Sequence, residues 1–599
     1  MNKIQDNHGY TGSSTDVAVL GTEGHAVIPT EPESPAETKF PDPGEPNSAG
    51  SESSTSSRRA MMSGALSAAA AFLWGKSARA SCTPTSAAVK LATKATFGYT
   101  EGVACEIGNT SKSYANWVDQ QLYFQLHTKA TDPHYDFLQE WIVNETSLVG
   151  TDYPLLDFPN PFSLSSSDYV KELTEARIVR ACKSNAQVFE RTVEFFTDHL
   201  NVYFGAVARP MQVLYDRDVI RKNALGKLKT LLVDSAISPA MLHYLNGRQN
   251  SDANVNENYA RELLELHTLG VDNCYDQATI EGLAKALTGW MVNSVELQSY
   301  TSSFDKDRHL FNALSIDFPC SGTTKTLTIP AGDYATDTES ITDTNSGANS
   351  VVKIIDFLTD PAQLGRETAR YIGGKLAVHF LGYDALNITL PGSVDLLDAI
   401  EDAYVAAYNA GSNDIAAMLE VILSEDAMAE ATPKLKRPLH VLASACRALD
   451  VSMELFRYNG SIASRSGPTE LVLKYLTPSG HAPYFWPAPN GYPDTMEHWS
   501  GLLLRWDFAS RLPAENEWQE LKYRRVALGA NVITDFNSTA TDTVTKALDY
   551  LNDRMLGNQM SQDDYDAIFN YVDGLSSFGE TEKRIMAGLI IGSPSFQWY

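Results

Sequence analysis

Apolar side chains recur at steps of three and four through most of the chain beyond residue 80, and this spacing constrains the fold more than any other feature. Over 167–200 the stripe is Val170, Leu173, Ile178, Val179, Val188, Phe189, Val193 and Phe196, as a helix packed on one face requires. The same spacing runs through 217–246, with a break at Ser238-Pro239, and through 255–269, 277–291, 351–382, 395–424 and 433–456. It returns over 495–511, 515–528, 540–556 and 562–594. Residues 292–350 differ: they are rich in Thr, Ser, Asp and Gly, with short alternations such as TKTLTIP, and read as irregular loop with a hairpin. Residues 480–494, GHAPYFWPAPNGYPD, hold too many prolines for a regular helix. The expectation is a mainly α, multi-helix globular domain. An N-terminal helical part (81–291), a loop or hairpin insertion (292–350) and a C-terminal helical part (351–599) carrying an aromatic, Pro-rich loop would follow one another.

The N-terminus obeys other rules. Residues 1–57 are Pro-, Ser-, Thr-, Gly- and Glu-rich with almost no apolar clustering, so they cannot bury enough surface to offset their ordering entropy and are expected to be disordered. Residues 58–80 then combine Arg58-Arg59, a weak Ala-rich apolar run from Met61 to Trp74, basic Lys76 and Arg79, and a small-x-small site at Ala78-Arg79-Ala80. This segment resembles a twin-arginine export signal, which would place the mature chain in the periplasm or outside the cell. The run is well short of the ~20 residues of a membrane-spanning helix.

Composition excludes some functions. Hydrophobic residues make up 43% of the 599, enough for a large core, and the formal net charge of −27 argues against binding nucleic acid, which needs clustered Lys and Arg. There is no G-x-G-x-x-G, P-loop, G-x-S-x-G or H-E-x-x-H, so neither a nucleotide cofactor, a nucleophile elbow nor a zincin site has sequence support. The six cysteines form no C-x-x-C. In an oxidising compartment Cys82–Cys105 and Cys274–Cys320 are the plausible disulfides, with Cys182 and Cys446 as buried thiols in helices.

The most distinctive stretch is Asn256-Glu257-Asn258-Tyr259-Ala260-Arg261-Glu262-Leu263-Leu264-Glu265-Leu266-His267-Thr268-Leu269-Gly270. On a helix, Asn258, Glu262, Glu265 and Leu269 share a face, and Arg261 stands four residues from both Glu257 and Glu265. Leucines on the other faces predict burial, and buried carboxylates need a partner such as Arg261. Three chemistries suit these residues. Glu262 and Glu265, with His267 and a second arm from Asp198 and His199, could serve as an acid–base set. The same side chains could hold a metal, although His267 follows Glu265 by two residues and so points elsewhere. Arg261 and Asn256, with Tyr484, Trp486, Asn490 and His498 on and beside the aromatic loop, could bind a polymer. His379 and His440, set among apolar residues, read as core histidines.

NENYARELLELHTLGV, followed by Tyr275, Gln277 and LAKALTGW, resembles the family catalogued as domain of unknown function 1800. ATFGYTE (95–101), SPAMLHYLNG (238–247), KLKRPLHVLASACRAL (434–449), PNGYPDTMEHWSGLLLRWDFASRL (489–512) and IIGSPSFQWY (590–599) extend the likeness over roughly 85–599. The resemblance implies a bacterial, exported protein and supplies no activity, cofactor or catalytic residue. Two blocks depart from the family's pattern: Asp198-His199-Leu200 stands where Asn-His-Phe is usual, and His309-Leu310 where His-Asp is frequent.

Two functions from different classes are compatible with these residues. One is an exported hydrolase or lyase that acts on extracellular or envelope polymers through helix carboxylates; the other is a non-enzymatic envelope protein that binds a metal, polymer or protein partner. Both need the twin-arginine export machinery. Replacing Arg58 and Arg59 together by Lys is expected to stop export while the remainder still folds. Cell fractionation checks this, and normal arrival of the double variant in the envelope would remove the assignment.

Overall fold

The computed structural model describes residues 82–108, 114–123, 166–295, 299–331, 339–344, 346–451, 475–514 and 541–599. The N-terminal extension, the signal segment expected over 58–80 and the helix expected over 515–528 lie outside the described residues. Residues 81–599 form one compact unit, and it is mainly α-helical with small two-stranded sheets. Among the described residues no helix is long and apolar enough to cross a membrane.

The principal elements are α1 (Ser86–Ala95), α2 (Ser166–Lys183), α3 (Gln187–His199), α4 (Asn258–Glu262), α5 (Gln277–Ala286), β1 (Trp290–Val295), β2 (Ser299–Phe304), β3 (Leu314–Cys320), β4 (Thr323–Ile329), α6 (Ser350–Thr359) and α7 (Gly365–Leu381). They continue as α8 (Leu396–Ala410), α9 (Asp414–Ile422), α10 (Pro438–Ala448), α11 (Leu503–Arg511), α12 (Val544–Leu556) and α13 (Glu580–Gly592). Local chemistry sets the ends of several. Thr85 caps α1 by accepting from the Ala88 N–H, Asp276 and Thr279 form a reciprocal capping box at α5, and Gly411 in the left-handed region closes α8.

The Thr- and Ser-rich stretch holds two antiparallel hairpins. β3 and β4 pair Cys320 with Thr323 across a two-residue turn, in which Gly322 takes the positive φ (84°) that such a turn demands. Their inward side chains, Ile316 and Phe318, are buried, and Phe318 meets Phe357 of α6 at 5.0 Å between ring centroids. The insertion therefore packs into the helical core rather than standing apart from it.

Among the described residues apolar packing has two large centres, with a small third cluster at Leu435, Tyr492 and Trp499. The larger runs from Ala88 to Ala431 and joins side chains on both sides of the hairpins. The other is built by α10, α11, α12 and α13 with Phe97, Ile178 and Cys182. Between the two along the chain lies the segment Lys434-Leu435-Lys436-Arg437, extended and bridged by backbone hydrogen bonds to the last residues: Lys434 and Tyr599 exchange both bonds, at 2.9 and 3.0 Å. Its three basic side chains are all buried.

Cys82 is bonded to Cys105 and Cys274 to Cys320, with Cα separations of 6.0 and 4.0 Å; Cys182 and Cys446 are buried free thiols. The second bridge pins the loop after the signature helix to the end of β3. Peptide mapping without reduction is expected to find these two bridges and two alkylatable thiols after unfolding. Six free thiols in protein recovered from an oxidising compartment would contradict both bridges.

Candidate functional site

The signature begins as drawn from its sequence and then departs from it. Asn256 turns the chain into α4: its Oδ1 accepts from the Asn258 N–H at 3.0 Å, while its own N–H donates to Asn250 Oδ1 at 2.9 Å. After Glu262 the helix widens to a π-turn over Leu263–Thr268. The Thr268 hydroxyl donates to the Leu263 carbonyl at 2.6 Å, and the Leu269 and Gly270 N–H groups both donate to Leu264 at 3.0 Å. One extra residue per turn shifts the phase of everything beyond Leu263. Gly270, at φ 88°, ends the element against the Tyr371 ring.

Arg261 pairs with both acids that its spacing selects, Glu257 at 3.2 Å and Glu265 at 3.4 Å, and donates to Gln277 Oε1 at 2.9 Å. The expected burial of this set is corrected: the three charged side chains are 37%, 36% and 26% exposed. The leucines beneath them are covered, and the charges form a rim above. Glu262 is half-buried, and burial, then Glu265, push its carboxyl above the ordinary value.

His267 is buried beneath that rim, its ring held down to about 3 by burial and then by Lys375. Its backbone carbonyl, in the last turn where helix carbonyls lack intrahelical donors, accepts from His199 Nε2 at 3.1 Å. His199 Nδ1 in turn accepts from Lys375 Nζ at 3.1 Å. Donor and acceptor are fixed at the two ring nitrogens, so the imidazole is neutral with its proton on Nε2. Burial, with Lys375 next, keeps it well below the usual histidine value.

Lys375 opens onto a cavity of about 370 Å³ between α3, α7, Arg437 and the aromatic loop. Asp198, His199, Tyr371, Asn490, Tyr492 and Asp494 are on its walls. α3 supplies Arg191, Glu194, Phe195 and Asp198, which share a face at steps of three and four. Gly491 lets the loop close on α3: it has φ 68°, and a Cβ there would overlap the Asp198 carbonyl oxygen.

Arg437 ties these parts together. It donates to Asp198 Oδ2 at 2.6 Å and lies 2.8 Å from Glu194 Oε1, while Arg191 holds Glu194 Oε2 at 2.6 Å. Lys434 donates to Asp494 Oδ2 at 2.6 Å. Burial raises Glu194 and Asp494, but Arg437 with Arg191, and Lys434 with Arg437, outweigh it and keep both below the ordinary carboxylate range. Asp198 goes the other way. Burial lifts it to about 6 against the pull of Arg437. Burial lowers Lys375 to about 8, opposed by Asp198 and Asp494. Among the described residues no carboxylate lies within 4.0 Å of its ammonium, so at least one of its donors is free to face the cavity.

Of the residues singled out from sequence, Asp198, His199 and Asn490 line this cavity, with Trp486 beside it donating to Asn490 Oδ1 at 3.0 Å. Glu262, Glu265, Arg261, His267 and Asn256 do not line it. Tyr484 is buried, its hydroxyl donating to Asp216 at 2.8 Å, and His498 is exposed, edge-on to Trp486 at 5.6 Å. His309 is buried, bonded to the Thr288 carbonyl at 2.8 Å. Sequence reading missed Lys375, Tyr371, Arg437 and Asp494. A lysine inside the apolar stripe YIGGKLAVHFL, and three basic residues in KLKRPLH beside a core helix, were the available signals. Among the described residues the metal-ligand-like group that converges is Cys274, Cys320 and Glu367, whose two sulfurs are already joined to each other.

A helical scaffold with a half-open cavity, whose largely apolar wall carries Asp198, Lys375, Arg437 and Asp494, is the class that fold and site define. The model of a protein family of unknown function, DUF1800, matches residues 90–598, and the chain belongs to that family. Neither a curated protein nor a solved structure matches it.

The exposure of the signature acids sets a ranking of stabilities. Arg261→Ala removes two half-exposed pairs and is expected to cost about 0.5–1 kcal/mol. Glu194→Gln breaks a buried network between two guanidinium groups and is expected to cost roughly 3–5 kcal/mol. Urea melts of the two variants check this, and equal losses would refute the assignment of Arg261 to the rim.

Proposed function

We propose that the protein is an exported lyase whose reacting centre is the Lys375 cavity and whose substrate is a polymer carrying carboxylate groups. The observation that supports it most is the Lys375 ammonium, which faces the cavity with a neutral imidazole behind it and, among the described residues, no carboxylate within 4.0 Å. A partly desolvated cation left in that state suits an anionic group brought by a ligand. The export reading rests on the paired arginines and agrees with the two disulfides.

Elimination fits the groups present. Lys375 and the Asn490 amide would grip the substrate carboxylate and make the hydrogen on the adjacent carbon more acidic. Asp198, ionised above about 6, would take that proton. The C–H electrons form a C=C bond, the C–O bond to the leaving sugar breaks, and the leaving oxygen takes a proton from water. The half-exposed signature carboxylates take no part in this chemistry. Hydrolysis through Glu262 and Glu265 has less support, because neither side chain reaches the cavity.

Both groups must be charged, so the window lies between them. Activity is expected to rise with pH through about 6 as Asp198 ionises, and to fall through about 8 as Lys375 loses its proton. Ultraviolet absorbance of the unsaturated product, measured on uronate-containing and neutral polysaccharides, provides the assay. Lys375→Met should lose binding of the anionic polymer, and Asp198→Asn should bind it but turn it over at least a hundredfold more slowly. Binding without any turnover by the unmodified protein would favour the non-enzymatic envelope reading, and equal binding by Lys375→Met would defeat the site altogether.

A further inference from the structure

A second cavity, of about 490 Å³, lies between α1, residues 431–436, the end of α12 and the last residues of the chain. It is separate in its chemistry from the first. Three lysines, Lys90, Lys94 and Lys436, reach its wall, and no acidic side chain does. Two of them are satisfied. Lys90 donates to the Ala429 carbonyl at 2.6 Å. Lys94 spends its donors on the carbonyls of Thr432 at 2.6 Å, Tyr599 at 2.9 Å and Leu381 at 3.3 Å.

Lys436 is not satisfied. It is 3% exposed, and its ammonium sits 4.0 Å from the centroid of the Phe596 ring. Among the described residues it has no hydrogen-bond partner, and the charge that acts on it is Arg505, of the same sign. Arg505 itself donates to Gln597 Oε1 and to the carbonyls of Trp499 and Lys436. A ring face offsets only part of the desolvation of an ammonium. Burial, then Arg505, accordingly depress this lysine to about 7. A second polar orphan shares the wall: the Tyr99 hydroxyl is buried without a partner. Most of the remaining wall is apolar, including Val89, Pro433, Met555 and Leu556.

We propose that this cavity binds a carboxylate bearing an apolar chain, with the anionic head on Lys436 and Tyr99 and the chain along the aliphatic wall. One ammonium and one phenol offer the donors that a two-oxygen monoanion needs; a phosphate dianion would leave much of its charge unmatched. The size of the cavity is that of an ordinary small-molecule site. This inference is independent of the lyase reading and of the Lys375 cavity.

Calorimetric titration of the full chain with decanoate tests it, with acetate and decanol as probes of head and chain alone. Decanoate is expected to bind one to one, and acetate and decanol at least tenfold more weakly. Lys436→Met, which keeps the length and removes the charge, should weaken decanoate at least tenfold while leaving the melting temperature of the unliganded protein unchanged or raised. Met555→Trp, which fills the cavity, should abolish binding. No binding of decanoate by the unmodified chain, or binding that survives either substitution, overturns the proposal. So does a Lys436→Met chain that no longer folds, because the ammonium would then belong to the scaffold.

Discussion

The guanidinium of Arg437 is the interaction on which the rest of the site depends. It joins Glu194 and Asp198, one turn apart on α3, to the extended segment that runs between the two apolar centres. A charged group taken out of water at that depth persists only with partners on its donors. Each partner fixes another. Glu194 calls for Arg191, and Lys434 fixes Asp494 and through it the end of the aromatic loop. Apolar residues of similar volume would serve stability at least as well as such a network. What the charges add is position: four elements remote in sequence are held at one cavity wall. Of the basic groups on that wall, Arg370 and Arg437 are paired with carboxylates, whereas among the described residues none lies within 4.0 Å of the Lys375 ammonium.

Much of the helical framework was legible because burial imposes a period. The stripe on α3 and the pairing of Arg261 with Glu257 and Glu265 both follow from steps of three and four. Two things were not legible. The π-turn at Leu263–Thr268 has no marker in the apolar pattern, since one inserted residue leaves leucines still facing the core while moving His267 beneath it. The exposure of Arg261 depends on what packs over α4, which local spacing does not report. The cavity was half visible. Asp198, His199 and Asn490 drew attention as functional residue types, whereas Lys375 was missed although it stands inside the apolar stripe of α7, a helix buried on most sides.

This placement changes what the signature does. It reaches the cavity through its backbone rather than its carboxylates: the His267 carbonyl orients His199, and His199 receives Lys375. The hydrogen bond also chooses the tautomer. With the proton held on Nε2, Nδ1 can only accept, and the ammonium is steered to it. A π-turn that displaces one carbonyl thus aims a cation two side chains away. The acids above it, in water and paired with Arg261, keep the turn soluble and in register with Gln277 of α5.

The residue at 198 decides how far the cavity can go beyond binding. An amide there could still accept from Arg437 but would carry no charge. Arg437 would then rely on Glu194 and Asp494, and the wall would gain one net positive charge, which favours holding an anion. Asp198 gives up part of that attraction and places an ionisable oxygen beside it. Its carboxyl is caught between burial, which raises it, and Arg437, which lowers it, and comes to rest near neutrality. A group so balanced can both take and return a proton under ordinary conditions. On the lyase reading proposed above, binding would therefore rest on Lys375, which the charge network leaves over, and chemistry on Asp198, whose carboxyl lies at about 6.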